Sequence, residues 1–572
     1  MISVQVGGLK AFLTERNMPC VARHYYVQTG DFFSPEEIDL IHTHFLGDHL
    51  YAMLEFPDYA DQIGRRIEEK AGGQINAADC ACRLEVFTRA VVADCLQVGP
   101  SLIGFTTTHM QYMASIYTSA RIKEALPSAS IVLGGIALYG RSAEETLALF
   151  PQIDFVIVGE GEAALWRLAE HRSGRRAAED VPQLVRRAGT QIVTSAAIET
   201  IASVDDLPIP DYSDYFETLS RAGRRLTPRA TVEMTRGCRW GKCSFCIEGL
   251  PSRGGYRSKS PQRVAAEIRE YVDRYRILDY VTSDPDVAFN EKAFAEVATL
   301  GFDLNFMVEI SGLVRVPHFE RMLAAGIRTV QIGIESFSSD LLSRFNKGVT
   351  LAKYVELLRM CAEGGVRLVY NNIHGAPFET QAHVDEAIEN MERLMFFQPP
   401  RLSHFRVSVG SDVMANLAAY GIAGLLPAEE VDGYPTQVAE RIGMLVSFNA
   451  GYGFERAESA EPVDYSRYLS TLQTWRTVSE AGGSRTARRG AGFIRVDHVV
   501  GNERYHIDII DPLEIALIVY CRGLRRIREV RAHFDDYSPE EIDHAIDKLW
   551  SKHLLFRTDK ECVSLVTVKE SV

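Results

Sequence analysis

Two separate stretches of this 572-residue chain alternate short apolar strands with amphipathic helices, and this alternation limits the fold more than any other feature. The first stretch places predicted strands at 101–106, 130–135 and 155–158, with helices at about 110–126 and 142–149 between them. Parallel strands need a long crossover between them, and a helix supplies one. We therefore predict an α/β fold with a parallel, doubly wound sheet in the first 200 residues.

The second stretch begins at Ala230, after a linker, Asp205–Tyr212, that contains two prolines. Strands and helices then alternate through six units, which predicts a partial, six-unit relative of the (β/α) barrel. In such barrels the chemistry lies at the C-terminal ends of the strands. The six predicted strands are Thr231–Arg236, Tyr280–Ser283, Leu304–Ile310, Thr329–Ile332, Arg367–Ile373 and Leu402–Val409.

Three cysteines, Cys238, Cys243 and Cys246, follow the first predicted strand of the barrel within nine residues. Thiolates at this spacing can bind three irons of a cubane iron–sulfur cluster and leave the fourth iron open to a small molecule. The alternatives are a structural zinc site or a chance cluster. Zinc normally takes four protein ligands, and no fourth Cys or His lies close in sequence. The loop therefore favours the iron–sulfur interpretation.

Small residues lie where the three strands of the first stretch end. The carboxyl ends of strands in such a sheet face the ligand, and glycine allows a bulky ligand to approach the backbone. The alternative is that these glycines only form turns. The residues in question are Thr106, Thr107, Gly134, Gly135, Gly159 and Gly161.

Composition excludes several classes of protein. The net charge of −14 disfavours general nucleic-acid binding, which needs a basic surface. No apolar run long enough for a membrane span is present, and Met1–Gln5 lacks the pattern of a signal peptide. Ten scattered cysteines are too few for a disulfide scaffold, so we expect reduced thiols and a cytoplasmic location.

The cysteine loop resembles the cluster loop of radical S-adenosylmethionine (SAM) enzymes, in which the open iron chelates SAM. Phe245, directly before the last cysteine, also suits that loop. The spacing here is Cys-x4-Cys-x2-Cys, one residue longer than the usual Cys-x3-Cys-x2-Cys. The resemblance implies a [4Fe–4S] cluster and SAM as cofactors, with Cys238, Cys243 and Cys246 as the metal ligands.

The resemblance extends to the cobalamin-dependent radical SAM proteins that mature ribosomally made peptides, many of which are C-methyltransferases. Their motifs are matched by Ile103–Thr108 in the first sheet, by Gly333–Ser338 and Asn346–Gly348 in the barrel, and by Ala419–Ile422 beyond it. This implies cobalamin at the carboxyl ends of the first sheet, bound by the six residues given above. The chain lacks an Asp-x-His-x-x-Gly motif, so no lower axial ligand of cobalt is predicted.

Polar residues recur at the C-terminal rim of the predicted barrel, including Asp284, Asp286, Asn372 and His374. A single acid at a strand end is usually a helix cap, but SAM offers a ribose diol and a cationic amine that need acceptors. The resemblance places Glu335 near SAM and directs Glu309 towards its ribose or methionine part. The predicted SAM-binding residues are Glu309, Glu335, Asn371 and Arg406.

The end of the chain contains a predicted helical stretch, Glu429–Phe448, and a basic glycine-rich segment, Gly482–Gly490, interpreted as an exposed loop. Two strands within Ile494–Ile510 and three helices then resemble a winged helix, which would either bind a peptide leader or cap the barrel. The predicted domains are an N-terminal helical extension (1–95), a Rossmann-like cobalamin-binding domain (96–200), a linker (201–229), the radical SAM barrel (230–425), a helical extension (426–490) and an α+β winged-helix-like domain (491–572).

These features together predict an enzyme that methylates an unactivated carbon of a ribosomal peptide, with electrons from a flavodoxin- or ferredoxin-type donor. One alternative is a cyclase, rearrangement enzyme or methyltransferase that acts on a small natural-product metabolite with the same cofactors. A second alternative is a non-catalytic peptide-binding protein with a structural cluster. No nucleic-acid or membrane partner is expected.

Overall fold

Five α-helices lie before the first strand: α1 (Val4–Glu15), α2 (Pro35–Thr43), α3 (Gly47–Glu55), α4 (Ala60–Lys70) and α5 (Ala77–Val98). The computed structural model describes residues 1–108, 110–139, 141–224, 226–249, 254–427 and 451–568. Side-chain caps fix where these helices begin. Ser3 accepts a hydrogen bond from the Val6 N–H at the start of α1, and Asn76 accepts one from the Asp79 N–H at the start of α5.

The first sheet contains β1 (Leu102–Thr106), β2 (Ser130–Gly134), β3 (Phe155–Ile157), β4 (Leu184–Ala188) and β5 (Gln191–Thr194), in that spatial order. The parallel pairing predicted for the first three strands is confirmed. The doubly wound prediction is wrong for the described sheet, because a doubly wound sheet reverses its strand order and this one follows chain order. The antiparallel β4 and β5 had no counterpart in the sequence prediction.

Helices cover both faces of this sheet. The helices that alternate with its strands are α6 (Tyr112–Ala125), α7 (Arg141–Leu149) and α8 (Glu162–Arg172). One buried cluster joins Ile131, Leu133 and Val156 of the sheet to residues of α3 to α7, and a smaller one joins Val132 and Ile157 to α8. The carboxyl ends of β1 to β3 remain uncovered by these layers and form one edge.

Asp48 stabilises the start of α6, although it lies 65 residues before Met113, its hydrogen-bond partner. Its carboxylate accepts a hydrogen bond from the Met113 N–H at 2.9 Å, and burial raises its pKa to about 6. Replacement by alanine leaves buried N–H groups without an acceptor, so we expect Asp48→Ala to lower the free energy of unfolding by about 1–3 kcal/mol. Asp48→Asn retains one acceptor oxygen and is the control. Urea unfolding of both variants measures the difference, and equal stabilities would contradict this role.

The middle of the chain forms an arc of parallel strands in chain order. One sheet has the order β12-β11-β10-β9-β6, and β13 pairs with β14 in a parallel ladder beside it. A bridge between Glu335 and Asn372 joins the two. The strands are β6 (Arg229–Val232), β9 (Asp279–Thr282), β10 (Asn305–Ile310), β11 (Ile327–Ile332), β12 (Arg367–Val369), β13 (Asn371–His374) and β14 (Arg401–His404).

This arc agrees with the predicted partial barrel of six strand–helix units, with two differences. The predicted fifth strand is divided at Tyr370, which is 2% exposed and donates its hydroxyl to the Gln398 carbonyl at 2.7 Å. The first strand ends at Val232, and the chain then forms an antiparallel hairpin from β7 (Thr235–Arg236) and β8 (Arg257–Ser258). The helices of this region are α9 (Ser213–Arg221), α10 (Pro261–Tyr275), α11 (Glu291–Ala298), α12 (Val316–Ala324), α13 (Ser339–Arg344), α14 (Leu351–Glu363) and α15 (Gln381–Leu394).

The last part of the chain packs on the barrel through α14. The Glu356 carboxylate on α14 accepts the Leu524 N–H at 2.7 Å, and Phe556, Val563 and Leu565 join the barrel core. Its elements are α16 (Asp412–Ala415), β15 (Ile422–Leu426), β16 (Gly453–Arg456), α17 (Ser466–Glu480), β17 (Ser484–Gly490), β18 (Phe493–Val500), β19 (Glu503–Ile509), α18 (Pro512–Tyr520), β20 (Arg525–Arg526), α19 (Ile527–His533), α20 (Pro539–Ser551), β21 (Leu555–Arg557), β22 (Glu561–Ser564) and β23 (Thr567–Val568).

The three helices and the strand pair predicted near the C-terminus are confirmed. The loop predicted at Gly482–Gly490 is wrong, because β17 pairs along its whole length with β18 and buries Arg485 and Ala487. The predicted helical stretch Glu429–Phe448 lies outside the described residues. Among the helices that are described, none is long and apolar enough to cross a membrane.

Candidate active site

The cysteine loop is held in place by the segment that follows α13. The Trp240 indole donates a hydrogen bond to the Asn346 carbonyl at 2.8 Å, and the Asn346 amide donates to the Lys242 carbonyl at 2.8 Å. The Ser244 N–H donates to the Phe345 carbonyl at 3.0 Å. Asn346–Gly348 is therefore part of the support of the loop, although it is about 100 residues away in sequence.

The extra residue between the first two cysteines is accommodated by glycine. Gly241 has a φ of 58°, in the left-handed region, and lies directly against Gly249. A Cβ atom on Gly249 would lie 2.0 Å from the Gly241 Cα, so neither position has room for a side chain. The longer spacing thus closes into a compact loop through a contact between two glycines.

The three cysteine side chains fit the donor set of an iron–sulfur cluster. All three are free thiols, and burial raises their pKa values, that of Cys243 to about 11. The Glu248 N–H points at the Cys246 Sγ at 3.5 Å, and N–H donors of this kind stabilise charge on cluster sulfurs. Within the described part of the chain, no three His, Cys, Asp or Glu residues are grouped around a position for one metal ion.

Glu335 and Lys347 form an ion pair beside the loop. The Lys347 Nζ lies 3.3 Å from the Glu335 Oε1, and each side chain is 12% exposed. Lys347 also interacts electrostatically with Cys243, and the Glu335 carboxylate raises the pKa of Lys347 despite burial. Glu335 has a φ of 70°, which is unusual for a residue with a side chain and indicates a functional constraint. The backbone of β13 holds this conformation, because the Glu335 N–H donates to the Asn371 carbonyl and the Glu335 carbonyl accepts the Ile373 N–H.

Two further acids face the same region. Alternation along β10 buries Phe306, Val308 and Ile310 under the helices and leaves Glu309 on the opposite face. Burial, followed by the neighbouring Glu335, raises the pKa of Glu309 to about 7. Asp286 is 1% exposed, and interacts electrostatically with both Lys347 and Cys238.

Asp286 and Asn372 each have a buried polar atom without a partner among the described residues. The Asp286 Oδ1 accepts N–H groups of Ala288 and Ser311, but its Oδ2 has no partner. The Asn372 Nδ2 is likewise unpaired. Buried polar atoms are normally hydrogen-bonded, so unpaired ones indicate a ligand position. The sequence indicated both Asp286 and Asn372 as polar residues at the barrel rim without including them among the predicted SAM-binding residues, and it marked Lys347 only as part of a motif.

The other two predicted SAM residues lie farther along the arc. The Asn371 side chain is exposed, and its carbonyl accepts the Glu335 N–H at 3.1 Å. Arg406 follows β14, is half-buried and packs against Gly451. The structure therefore brings the cysteine loop, Glu309 and Glu335 together, places Asn371 next to them through the backbone, and places Arg406 at the far side of the sixth strand.

Asp284 holds the segment that leads into the cysteine loop, and its buried carboxyl group predicts that the stability of the protein depends on pH. Its buried carboxylate accepts the N–H groups of Met234 and Thr235, and burial raises its pKa to about 7. The folded protein thus keeps a proton that the unfolded chain loses near pH 4, so stability falls as the pH rises from 4 to 7. Asp284→Asn removes this titration. We expect the stability of the wild type relative to Asp284→Asn to fall by roughly 3 kcal/mol between pH 4.5 and 8 in urea unfolding. A constant difference would contradict this.

A cleft of about 2110 Å³ joins the first sheet to the barrel. Its lining includes the strand ends of the sheet, among them Thr106, Gly134, Gly135, Gly159 and Gly161. On the barrel side it reaches Gly237 and Glu248 of the cysteine loop. The cleft therefore connects the two predicted cofactor regions, and its walls are mainly apolar.

Thr107, by contrast, does not line the cleft. It is fully buried, and both its N–H and its hydroxyl donate to the Gly134 carbonyl, at 2.6 and 2.9 Å. A Cβ atom on Gly135 would lie 2.3 Å from the Thr107 carbonyl oxygen. Gly135 is thus required by its contact with Thr107, in addition to its position at the cleft.

Comparison with known proteins places the barrel in a family. Residues 232–391 match the model of the Radical SAM superfamily, so this region is a radical SAM domain, which uses a [4Fe–4S] cluster and SAM. The chain is 26% identical over 307 residues to an uncharacterized methyltransferase of Pyrococcus horikoshii, covering 52% of this chain and 64% of that protein. It is 28% identical over 329 residues to the anaerobic magnesium-protoporphyrin IX monomethyl ester cyclase of Cereibacter sphaeroides, covering 54% and 51%.

A solved structure shares the fold over a larger part of the chain. The radical SAM methyltransferase TsrM from Kitasatospora setae, with tryptophan and a SAM analogue bound, superposes with a TM-score of 0.51 at 18% identity, covering 69% of this chain and 81% of that one. The chain spans about half to two thirds of the length of the two curated relatives. The α/β fold with a radical SAM domain is therefore established.

Proposed function

We propose that this protein is a cobalamin-dependent radical SAM methyltransferase that acts on an unactivated carbon. The observation that supports this best is one shared cleft, which is lined by the strand ends of the first sheet and by Gly237 and Glu248, the residues on either side of the three cysteines. When bound there, the cluster and SAM would supply a 5′-deoxyadenosyl radical, and cobalamin would carry the methyl group. The Pyrococcus horikoshii relative and TsrM are both described as methyltransferases, which supports the same reaction for this protein.

The protein residues have separate proposed roles. Cys238, Cys243 and Cys246 bind the cluster, and Lys347 offsets part of the negative charge of the thiolates. The SAM amine and ribose are held by acceptors, for which Glu309, Glu335 and the free Asp286 oxygen are suited. Asn371 and Arg406 remain proposed polar partners of SAM. The apolar cleft wall excludes water from the reacting carbon.

Cobalamin is proposed to bind at the strand ends of the first sheet, with backbone contacts at Gly134, Gly135, Gly159 and Gly161. Thr106 would contact cobalamin directly. Thr107 would act indirectly by holding the loop after β1 against the loop after β2, since its hydroxyl donates a hydrogen bond to the Gly134 carbonyl. The three strand ends lie at one edge, which suits a wide, flat ligand.

For the substrate we propose a ribosomally made peptide. The last sheet supports this, because β19 forms its outer edge and most of its side chains are exposed. An exposed edge strand offers unpaired N–H and C=O groups to an extended peptide. The ten free cysteines fit a reducing cytoplasm with a flavodoxin- or ferredoxin-type donor.

A second candidate function is ring closure on a small metabolite with the same cofactors. The 28% identity to a porphyrin ester cyclase favours this alternative. A non-catalytic role is disfavoured by the match of residues 232–391 to the Radical SAM superfamily.

The test is anaerobic reconstitution with iron, sulfide and cobalamin, followed by reaction with SAM, a reductant and candidate substrates. Precursor peptides encoded beside the gene and small metabolites are assayed separately, with and without cobalamin. We expect a methylated product that requires cobalamin, with deoxyadenosine formed alongside it. Deoxyadenosine with a cyclised, unmethylated product would support the alternative instead.

A further inference from the structure

Two arginines and three glutamates form a charged network between the first sheet and the barrel. The Arg236 guanidinium lies 2.6 Å from Glu162, 3.4 Å from Glu160 and 3.0 Å from Glu233. Arg257 lies 2.6 Å from the other oxygen of Glu160. The side chains are only 12–20% exposed. We name these five residues the arginine clamp.

The arginine clamp connects the two cofactor regions directly. Arg236 and Arg257 are cross-strand partners in the β7–β8 hairpin, and Arg236 lies two residues before Cys238. Glu160 and Glu162 flank Gly161 after β3, and Glu162 is the first residue of α8. Except for Arg257, all members of the clamp line the cleft. The Arg236 guanidinium therefore contacts the segment between β3 and α8, and Arg236 itself belongs to the segment that leads into the cysteine loop.

The arginine clamp is not needed merely to hold the N-terminal region against the barrel. Elsewhere the N-terminal region is already held to the barrel by the bridge between Ile2 and Ala230 and by Lys10, which pairs with Asp214 at 2.7 Å. Buried ion pairs lose hydration and add little net stability compared with apolar contacts. What they provide is direction, because the N–H groups of a planar guanidinium donate to carboxylates only in fixed orientations.

We infer that Arg236 is a positioning residue that sets the separation and angle between the ligand of the first sheet and the cysteine loop. This inference rests on the proposed function, since methyl transfer requires both cofactors to reach one carbon of the substrate. Small errors in such placement reduce the rate strongly. Loss of the clamp uncouples the reaction, so that SAM is still cleaved while fewer radicals end as methylated product.

The test compares Arg236→Met and Arg236→Lys with the wild type in the reconstituted, cobalamin-loaded enzyme. We expect Arg236→Met to keep its iron content and to form deoxyadenosine within about threefold of the wild type. The ratio of methylated product to deoxyadenosine should fall at least tenfold, and Arg236→Lys should lie between the two. The matched control is Arg467→Met, which removes an exposed pair with Glu392 on the barrel surface and should leave the ratio unchanged. A ratio within twofold of the wild type in Arg236→Met would overturn the inference.

A second variant and a distance measurement distinguish the possible outcomes. Should Arg236→Met lose its cluster, Glu162→Gln removes one partner and leaves Arg236 with Glu160 and Glu233, and the same ratio must then fall. Pulsed electron paramagnetic resonance also measures the separation of the reduced cluster and cob(II)alamin without any turnover, and we expect a changed or broadened distance in the variant. A wild type that binds no cobalamin would overturn both the proposed function and the clamp. Unchanged distance and product ratio in a wild type that methylates would overturn the clamp alone.

Discussion

Cys246→Ala is expected to lose the iron–sulfur cluster and all SAM cleavage, and Cys238→Ala and Cys243→Ala should do the same. Each removal leaves two thiolates for a cluster that needs three, and no other cysteine of the loop region can substitute. We expect iron and sulfide contents near zero after anaerobic reconstitution and at least a thousandfold loss of deoxyadenosine formation. The measurement is metal and sulfide analysis, combined with product quantification.

The matched control is Cys82→Ser, because Cys82 is exposed on α5, far from the loop in sequence. It should retain full cluster content and activity. If one of the three loop variants kept a complete cluster, another residue would have to supply the ligand, and the assignment of the three cysteines would be wrong.

Lys347→Met is expected to produce the second large effect, on both stability and SAM binding. It leaves the carboxylate of Glu335 in a site where the side chain is 12% exposed, without its cation at 3.3 Å. Breaking a buried pair from one side costs about 3–5 kcal/mol, because the remaining charge is not compensated. We expect a loss of this size in urea unfolding, together with at least tenfold weaker SAM binding in calorimetry.

The double variant Glu335→Gln with Lys347→Met separates the two effects. Both charges are then absent, so stability should recover by at least half of the loss, while SAM binding should stay weak. Equal stability of the single and double variants would show that the ion pair is not the source of the effect.

Local patterns in the sequence predicted the strand and loop positions well. The strands of the first sheet and of the barrel were found because apolar runs and the turns after them are encoded within a few residues. The division of the fifth strand at Tyr370 was not predicted, since it depends on a hydrogen bond to Gln398, 28 residues away. Chain order within the first sheet was missed for the same reason, because strand order is set by packing between distant segments.

The candidate site could be predicted in part. The cysteines and Glu335 were accessible because motifs carry them, and Glu309 because a lone acid in an apolar strand stands out. The contact of Lys347 with Glu335 and the contacts of Arg236 with Glu160 and Glu162 were not accessible. The latter join residues more than 70 positions apart, and charged residues in a sequence do not reveal their partners. The unpaired atoms of Asp286 and Asn372 likewise emerge only from packing.

The proposed methyltransferase uses SAM both as the source of the radical and as the source of the methyl group carried by cobalamin. The most direct measurement is an anaerobic reaction with SAM that carries a trideuterated methyl group, analysed by mass spectrometry. We predict a product heavier by one trideuterated methyl group, with deoxyadenosine and S-adenosylhomocysteine formed in equal amounts, and no product without cobalamin. Deoxyadenosine without label in any product, or labelled product without deoxyadenosine, would contradict the account.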